Sequence, residues 1–310
     1  MEGVEAFDPE AFAIMRNEAV TMDPQQRLLL LTAAESLASA ASAAGAGVSP
    51  GSWAARVAGR QVGAYVGVAA TDYESLSQTY GVPISSFSFT AASPSVASGR
   101  MSYVYGLRGP TASVDTACSS SLVAAHLACL GLRQAPMEGA LVAGVLLCLV
   151  PQSTLMLTRA AMLSPEGRSK TLDASADGYA RGETCRSLFL QPAALAAAAG
   201  TVALGLLVAS AVNSNGRASS LTAPNGPSQQ ALLREALVGA GLGAADVDGL
   251  QMHSNGTALG DPIEIGAASA VLLVSKQSGP WVLHCCLAAV SDRDACQAAR
   301  RHTNVCQGGG

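Results

Sequence analysis

Apolar runs of strand length alternate with stretches of helical period through most of this chain. "DPQQRLLLLTAAESLASAASAAGAG", Asp23 to Gly47, opens on an Asp-Pro pair, spaces leucines and alanines helically and closes on glycines, so it predicts a capped helix. "RVAGRQVGAYVGVAA" then carries a β-branched apolar run ending near Ala70, and "TASVDT", Thr111 to Thr116, predicts a second strand. "SSSLVAAHLACLGLR", Ser119 to Arg133, is a helix apolar on nearly every face, which belongs at the centre of a fold. "GALVAGVLLCLV", Gly139 to Val150, is a continuous apolar run suited to a sheet covered on both sides. "GETCRSLFLQ" and "VALGLLVASAV", Val202 to Val212, extend the series as further strands, the last of them buried. This alternation predicts an α/β layered architecture, and the regular order fades after about Ala270.

Composition narrows the function classes. Of 310 residues, 49% are hydrophobic and 13% charged, which fits a compact enzyme core and not a disordered tail. A net charge of −4 with scattered Arg and Lys leaves no basic face for nucleic acid. The acidic start "MEGVEAFDPEAF" has no basic region followed by an apolar core, so no secretory signal is expected. Eight cysteines without the dense spacing of a small secreted scaffold fit reduced thiols in the cytoplasm. Ala193 to Val212, "AALAAAAGTVALGLLVASAV", has the uncharged length of a membrane span, yet its alanines are weak lipid anchors. A helix capped at Gly200, a turn and a strand account for the same letters, so no membrane is expected.

One thiol stands apart. In "VDTACSSSLVAAHLACLGLR", Cys118 sits where a strand turns directly into a helix. Exposed N–H groups and the positive end of the helix dipole stabilise a thiolate there, and the same N–H groups could hold an oxyanion on an acylated sulfur. Early serines are expected to cap the helix, and the small Ala117 leaves room for an acyl chain. Position alone leaves a buried core cysteine as an open alternative. Cys129 in the central helix and Cys148 in a buried strand are expected to be inert, and His126, two turns along the helix from Cys118, to be packed in the core. The tail residues His284, Cys285, Cys286, Cys296, His302 and Cys306 contain no Cys-x-x-Cys pair, so no metal site is expected.

The motif "VDTACSSSL" resembles the nucleophile motif of β-ketoacyl synthases, specifically the ketosynthase domains of polyketide synthases. "MDPQQRLLL", "SVASGRMSYVYGLRGP", "MLSPEGRSKTLDASADGYARGE" and "SAVNSNGRASSLTAPNGPSQ" are similar to that family in the expected order, over roughly residues 5 to 270. The resemblance implies a thiolase-like fold, an α/β/α/β/α layered sandwich with its second half incomplete, usually found as a homodimer. It also implies a decarboxylative Claisen condensation. An acyl group passes from the phosphopantetheine of an acyl carrier protein to the cysteine, and malonyl thioester loses carbon dioxide and attacks it. Cys118 then corresponds to the nucleophile. "LQMHSNGTALGDPIE", Leu250 to Glu264, resembles the family's His-Gly-Thr-Gly-Thr loop. His253 takes the place of the imidazole that hydrogen-bonds the malonyl carbonyl, and Thr257 that of the pantetheine-contacting threonine. Ser254 and Asn255 replace Gly and Thr.

The family's second histidine, in Lys-Ser-Asn-Ile-Gly-His, and its Gly-Phe-Gly loop have no counterpart; Lys276 and His284 differ in spacing and neighbours. The expected organisation is an N-terminal half over 1–200, the opening of the second half over 201–270, and a divergent tail over 271–310. The expected partners are an acyl carrier protein and a second copy or neighbouring synthase domains, with no directly bound cofactor. Two functions follow: a condensing acyltransferase, or an impaired remnant serving as an interaction or dimerisation module.

Overall fold

The computed structural model describes residues 3–45, 52–69, 72–82 and 84–273, and the backbone of 282–284. Two compact units divide the chain: one draws on 1–161 and 181–201, the other on 162–180 and the residues from Val202 onward. The first contains helices α1 (Arg16–Thr21), α2 (Pro24–Ala43), α3 (Ser52–Val57), α4 (Asp72–Thr79), α5 (Ser88–Ala92), α6 (Pro94–Tyr105), α7 (Ser120–Gln134), α8 (Pro151–Arg159) and α9 (Ala193–Ala198). Its strands are β1 (Val62–Val68), β2 (Thr111–Val114), β3 (Gly139–Leu146) and β4 (Thr184–Leu190).

These strands form one sheet in the order β2-β1-β3-β4, with β2, β1 and β3 parallel and β4 antiparallel to β3. Because successive side chains on a strand point to opposite faces, β1 and β3 each supply two rows. Val62, Ala64, Val66 and Val68 join Leu141, Ala143 and Val145 in a core with Leu29, Leu30, Ala33 and Leu37 of α2 and Met101 and Tyr105 of α6. On the opposite face Tyr65, Ala140 and Val142 pack on Ala124 and Ala128 of α7. Each fully buried leucine or valine contributes about 1.5–3 kcal/mol, so the apolar runs are explained by two-sided burial. The predicted cap of α2 is present, with the Gln25 N–H donating to Asp23 Oδ1 at 2.8 Å.

The row facing α7 narrows toward the ends of its strands. Tyr65 gives way to Gly67 on β1 and Val142 to Gly144 on β3, and the two glycines are in register. A Cβ on Gly67 would lie 2.5 Å from Ser121 N and 2.7 Å from Ser120 C, and one on Gly144 2.8 Å from Ser121 Cβ. The missing side chains let the first turn of α7 settle directly onto the sheet, at the carboxyl ends of the parallel strands, where α/β folds bind ligands.

The second unit contains α10 (Gly226–Ala240), β5 (Gly249–Gln251), α11 (Gly260–Ala268) and β6 (Val282–His284), with β5 and β6 parallel. Asn225 caps α10 by accepting the Ser228 N–H at 3.0 Å, and Gly241 ends it with φ 66°.

Three expectations differ from the structure. Val202 to Val212 forms no strand and is largely exposed, with Leu204 87% accessible, because among the described residues no strand pairs with it. Cys148 falls just beyond β3 and is half-buried. In α7 the buried residues are Ser120, Ala124, Ala128 and Cys129, while Leu122 on another side is exposed, so the helix buries one face and not all of them. Gly200 does end α9's turn, with φ 65°. Among the described residues no helix is long and apolar enough to cross a membrane.

Candidate active site

Cys118 is exposed, in a short 3₁₀ turn (Ala117–Ser119) that joins β2 to α7. The turn is sharp because Ala117 adopts φ 54°, the left-handed region that costs a residue with a Cβ roughly 1 kcal/mol. Several groups hold it. The Ala117 N–H donates to Asp115 Oδ1 at 3.0 Å, and the buried Ser120 Oγ accepts the Thr116 N–H at 2.9 Å while donating to the Ala117 carbonyl at 2.6 Å. Ser119 Oγ donates backward to the Thr116 carbonyl at 2.8 Å. The serines were expected to cap α7, and here they do otherwise. Ser119 occupies the cap position without a side-chain cap bond, and the hydroxyls brace the preceding turn because the 3₁₀ geometry directs them there. Among the described residues no hydrogen bond engages the Cys118 backbone N–H. An exposed thiol beside an unengaged N–H, at the start of a helix, is the arrangement that a nucleophile forming an acyl-enzyme needs.

The other described thiols differ. Cys129 and Cys185 are buried and Cys148 half-buried. Burial pushes the Cys129 and Cys148 thiols up and that of Cys185 to about 11, so all three are protonated at neutral pH. Brief substoichiometric iodoacetamide treatment at neutral pH is therefore expected to modify Cys118 ahead of these three, as read by peptide mass spectrometry. Faster modification of Cys148 would contradict the assignment. Cys285, Cys286, Cys296 and Cys306, with His302 and the side chain of His284, lie outside the described residues. Among the described residues no group of three or more His, Cys, Asp or Glu side chains could hold a metal ion.

The second unit carries His253 and Thr257 in one loop between β5 and α11. His253 is exposed and Thr257 half-buried. Glu264 of α11 clamps this loop: its Oε1 accepts the His253 N–H at 2.7 Å, and its Oε2 accepts the Ser254 N–H at 2.8 Å and the Ser254 hydroxyl at 3.3 Å. Ser254 is buried with φ 27°, so the residue that replaces glycine in the motif holds a conformation favouring glycine. Thr171 Oγ1 donates to the Ser254 carbonyl at 2.6 Å. Gly256, at φ 86°, has no room for a side chain, since a Cβ would lie 2.6 Å from Lys170 N.

Asp261, 3% exposed, closes the loop from below by accepting the Gly256 N–H at 3.2 Å and the Leu172 N–H at 2.9 Å. Replacing it with alanine leaves both donors unpartnered, and each such loss costs about 1–3 kcal/mol. The Asp261→Ala variant is thus expected to lose about 3 kcal/mol, visible as a lowered denaturant midpoint, and an unchanged midpoint would contradict this bonding. Sequence reading missed Asp261, Glu264, Ser120 and the two strand glycines. An acidic pair at i and i+3 in the helix following the histidine loop was the one signal that could have revealed the first two. The loop residues His253 and Thr257 are brought together, while Cys118 belongs to the other unit.

Comparisons with known proteins show the family and the fold. Residues 1–196 match the model of the β-ketoacyl synthase N-terminal domain, and 204–288 that of its C-terminal domain. The chain is 45% identical over 267 residues to a phenolphthiocerol/phthiocerol polyketide synthase subunit of Mycobacterium tuberculosis, covering 86% of this chain and 12% of that protein. It is 43% identical to the mycoketide-CoA synthase of the same organism, covering 87% of this chain and 6% of that protein. Among solved structures it matches the ketosynthase from module 6 of the bacillaene synthase of Bacillus subtilis, at 31% identity and a TM-score of 0.81. That match covers 92% of this chain and 48% of the ketosynthase, so the chain spans about half the length of that domain. The fold is accordingly thiolase-like, and with its N-terminal model matching more than half of the residues, the chain belongs to the β-ketoacyl synthase family.

Proposed function

We propose that the chain provides the acyl-accepting site of a ketosynthase that builds carbon–carbon bonds in polyketide assembly. The observation that carries this reading is the exposed Cys118 thiol on a braced turn with an unengaged N–H beside it. The Cys118 thiolate attacks the thioester carbonyl of an acyl group carried on phosphopantetheine, and the resulting oxyanion is stabilised by the backbone N–H. Collapse of the tetrahedral intermediate expels the pantetheine thiolate and leaves the acyl group on Cys118. In the condensation that follows, a malonyl thioester loses carbon dioxide. Its enolate carbon attacks the acyl carbonyl, which releases the cysteine thiolate and the β-ketoacyl carrier. His253 donates a hydrogen bond to the malonyl thioester oxygen as charge develops there, and Thr257 contacts the pantetheine arm.

The partners in this reading are an acyl carrier protein, neighbouring polyketide synthase domains and a second copy of the chain. The setting is the cytoplasm, consistent with free thiols at Cys118, Cys129, Cys148 and Cys185. The organisation adopted is a nucleophile half over 1–200, a histidine-loop segment over 201–270 and a tail over 271–310. Dimerisation is supported by β2, which is the edge strand of its sheet among the described residues, and by the exposed Tyr103 nearby on α6. Open strand edges are ready templates for pairing with another chain. Sedimentation at tens of micromolar, on the order of concentrations where such edges associate, is expected to give a dimer, and a persistent monomer would contradict this part of the reading. Acyl transfer is tested by presenting a carrier protein bearing a radiolabelled acyl group. Label should move to the chain and not to its Cys118→Ala variant, and equal labelling of both would refute the assignment.

A further inference from the structure

We infer that Ser120 is a positioning residue for acyl transfer at Cys118, one that acts by fixing the peptide plane between Ala117 and Cys118. This rests on the proposed role of Cys118 and adds the source of its oxyanion donor. The Ser120 side chain is buried, in a residue 5% exposed, and its hydroxyl makes two hydrogen bonds within the turn. It accepts the Thr116 N–H at 2.9 Å and donates to the Ala117 carbonyl at 2.6 Å. The second bond is the informative one. The Ala117 carbonyl and the Cys118 N–H belong to the same peptide group, and no peptide bond among the described residues is cis. In a planar trans peptide the C=O and N–H point in opposite directions. A hydroxyl that holds the carbonyl toward the start of α7 therefore holds the Cys118 N–H away from it, on the side that carries no protein partner among the described residues.

Ala117 sits at φ 54°, where a residue with a Cβ is strained, so the peptide groups on both sides of it need to be held in place. Asp115 restrains the other side of Ala117 through its N–H, while the backbone N–H of Ser120 also reaches the Ala117 carbonyl. The hydroxyl is thus the side-chain half of a two-part hold on the peptide that supplies the oxyanion donor. The glycines Gly67 and Gly144 keep the serine at this depth by letting the first turn of α7 lie against the sheet.

The test compares two reactions at one sulfur. Loading from an acyl N-acetylcysteamine thioester passes through a tetrahedral oxyanion, whereas alkylation by iodoacetamide does not. In Ser120→Ala, loading is expected to fall about tenfold or more, below the loss for deleting an oxyanion donor outright, while Cys118 alkylation stays within about threefold of the parent. Ser120→Thr, which keeps the hydroxyl, should keep the parent's ratio of loading to alkylation. Unchanged loading in the alanine variant, or an equal fall in both reactions, would overturn the inference while leaving Cys118 as the nucleophile. If circular dichroism shows that the alanine variant does not fold, the threonine variant decides, and a lowered ratio there overturns the inference. Failure of the parent chain to load at all would overturn both this inference and the proposed acyl transfer.

Discussion

Offered malonyl carrier protein after its cysteine has been acylated, the purified chain is expected to keep its acyl group and form little β-ketoacyl product. Acylation needs an accessible thiol and an oxyanion donor, and the Cys118 turn carries an exposed thiol and an N–H with no hydrogen-bond partner among the described residues. Condensation needs more, because decarboxylation places negative charge on the malonyl thioester oxygen. The resemblance assigns two imidazoles to that oxygen, and of His126, His253, His284 and His302 only His253 stands in a matching segment. Removing one positioned donor of this kind lowers the rate about 10²–10³-fold, or roughly 3–4 kcal/mol. The experiment follows labelled β-ketoacyl product by chromatography after malonyl carrier is added to the acylated chain. Product formed as fast as in an intact ketosynthase would show that another residue supplies the second donor. Product formation absent alongside normal loading would fit the impaired alternative, in which association outlasts chemistry.

Gly67→Ala is expected to be among the most damaging small substitutions in the first unit. The added Cβ would lie 2.5–2.8 Å from Ser121 N, Ser120 C and Ser121 Cα. All three are backbone atoms of α7 that cannot rotate aside, so either the helix lifts or β1 bends. Overpacking of this kind costs about 1–3 kcal/mol, and contact with backbone alone puts this site at about 3 kcal/mol or above. Lifting α7 also carries away the Ser120 hydroxyl, so acyl loading at Cys118 should fall together with the melting temperature. A variant that melts and loads like the parent would show that the helix start does not rest on the sheet as described.

The strands β1 and β3 were legible as apolar runs because a sheet covered on two faces writes its burial into consecutive letters. The α2 cap was legible because Asp-Pro performs a local task that any chain performs alike. Val202 to Val212 misled for the opposite reason. Its apolar letters say that the segment could be buried, and whether it is depends on a neighbouring strand that a local pattern cannot reveal. The candidate site shows the same division. Cys118 and His253 stood out by motif, whereas Ser120 is one of three consecutive serines and only the path of the turn decides which hydroxyl points inward. Gly67 and Gly144 look like ordinary strand glycines until pairing sets them side by side beneath α7. Glu264 acts through backbone N–H groups, which leave no mark on residue type.

The central claim, that Cys118 is the residue that accepts an acyl group, is tested most directly by peptide mass mapping after incubation with an acyl phosphopantetheine thioester. The expected result is one acyl mass on the peptide containing Cys118, released by neutral hydroxylamine and lost in Cys118→Ala, with Cys129, Cys148 and Cys185 unmodified. An acyl mass on any other cysteine, or one that persists in the alanine variant, would contradict the account.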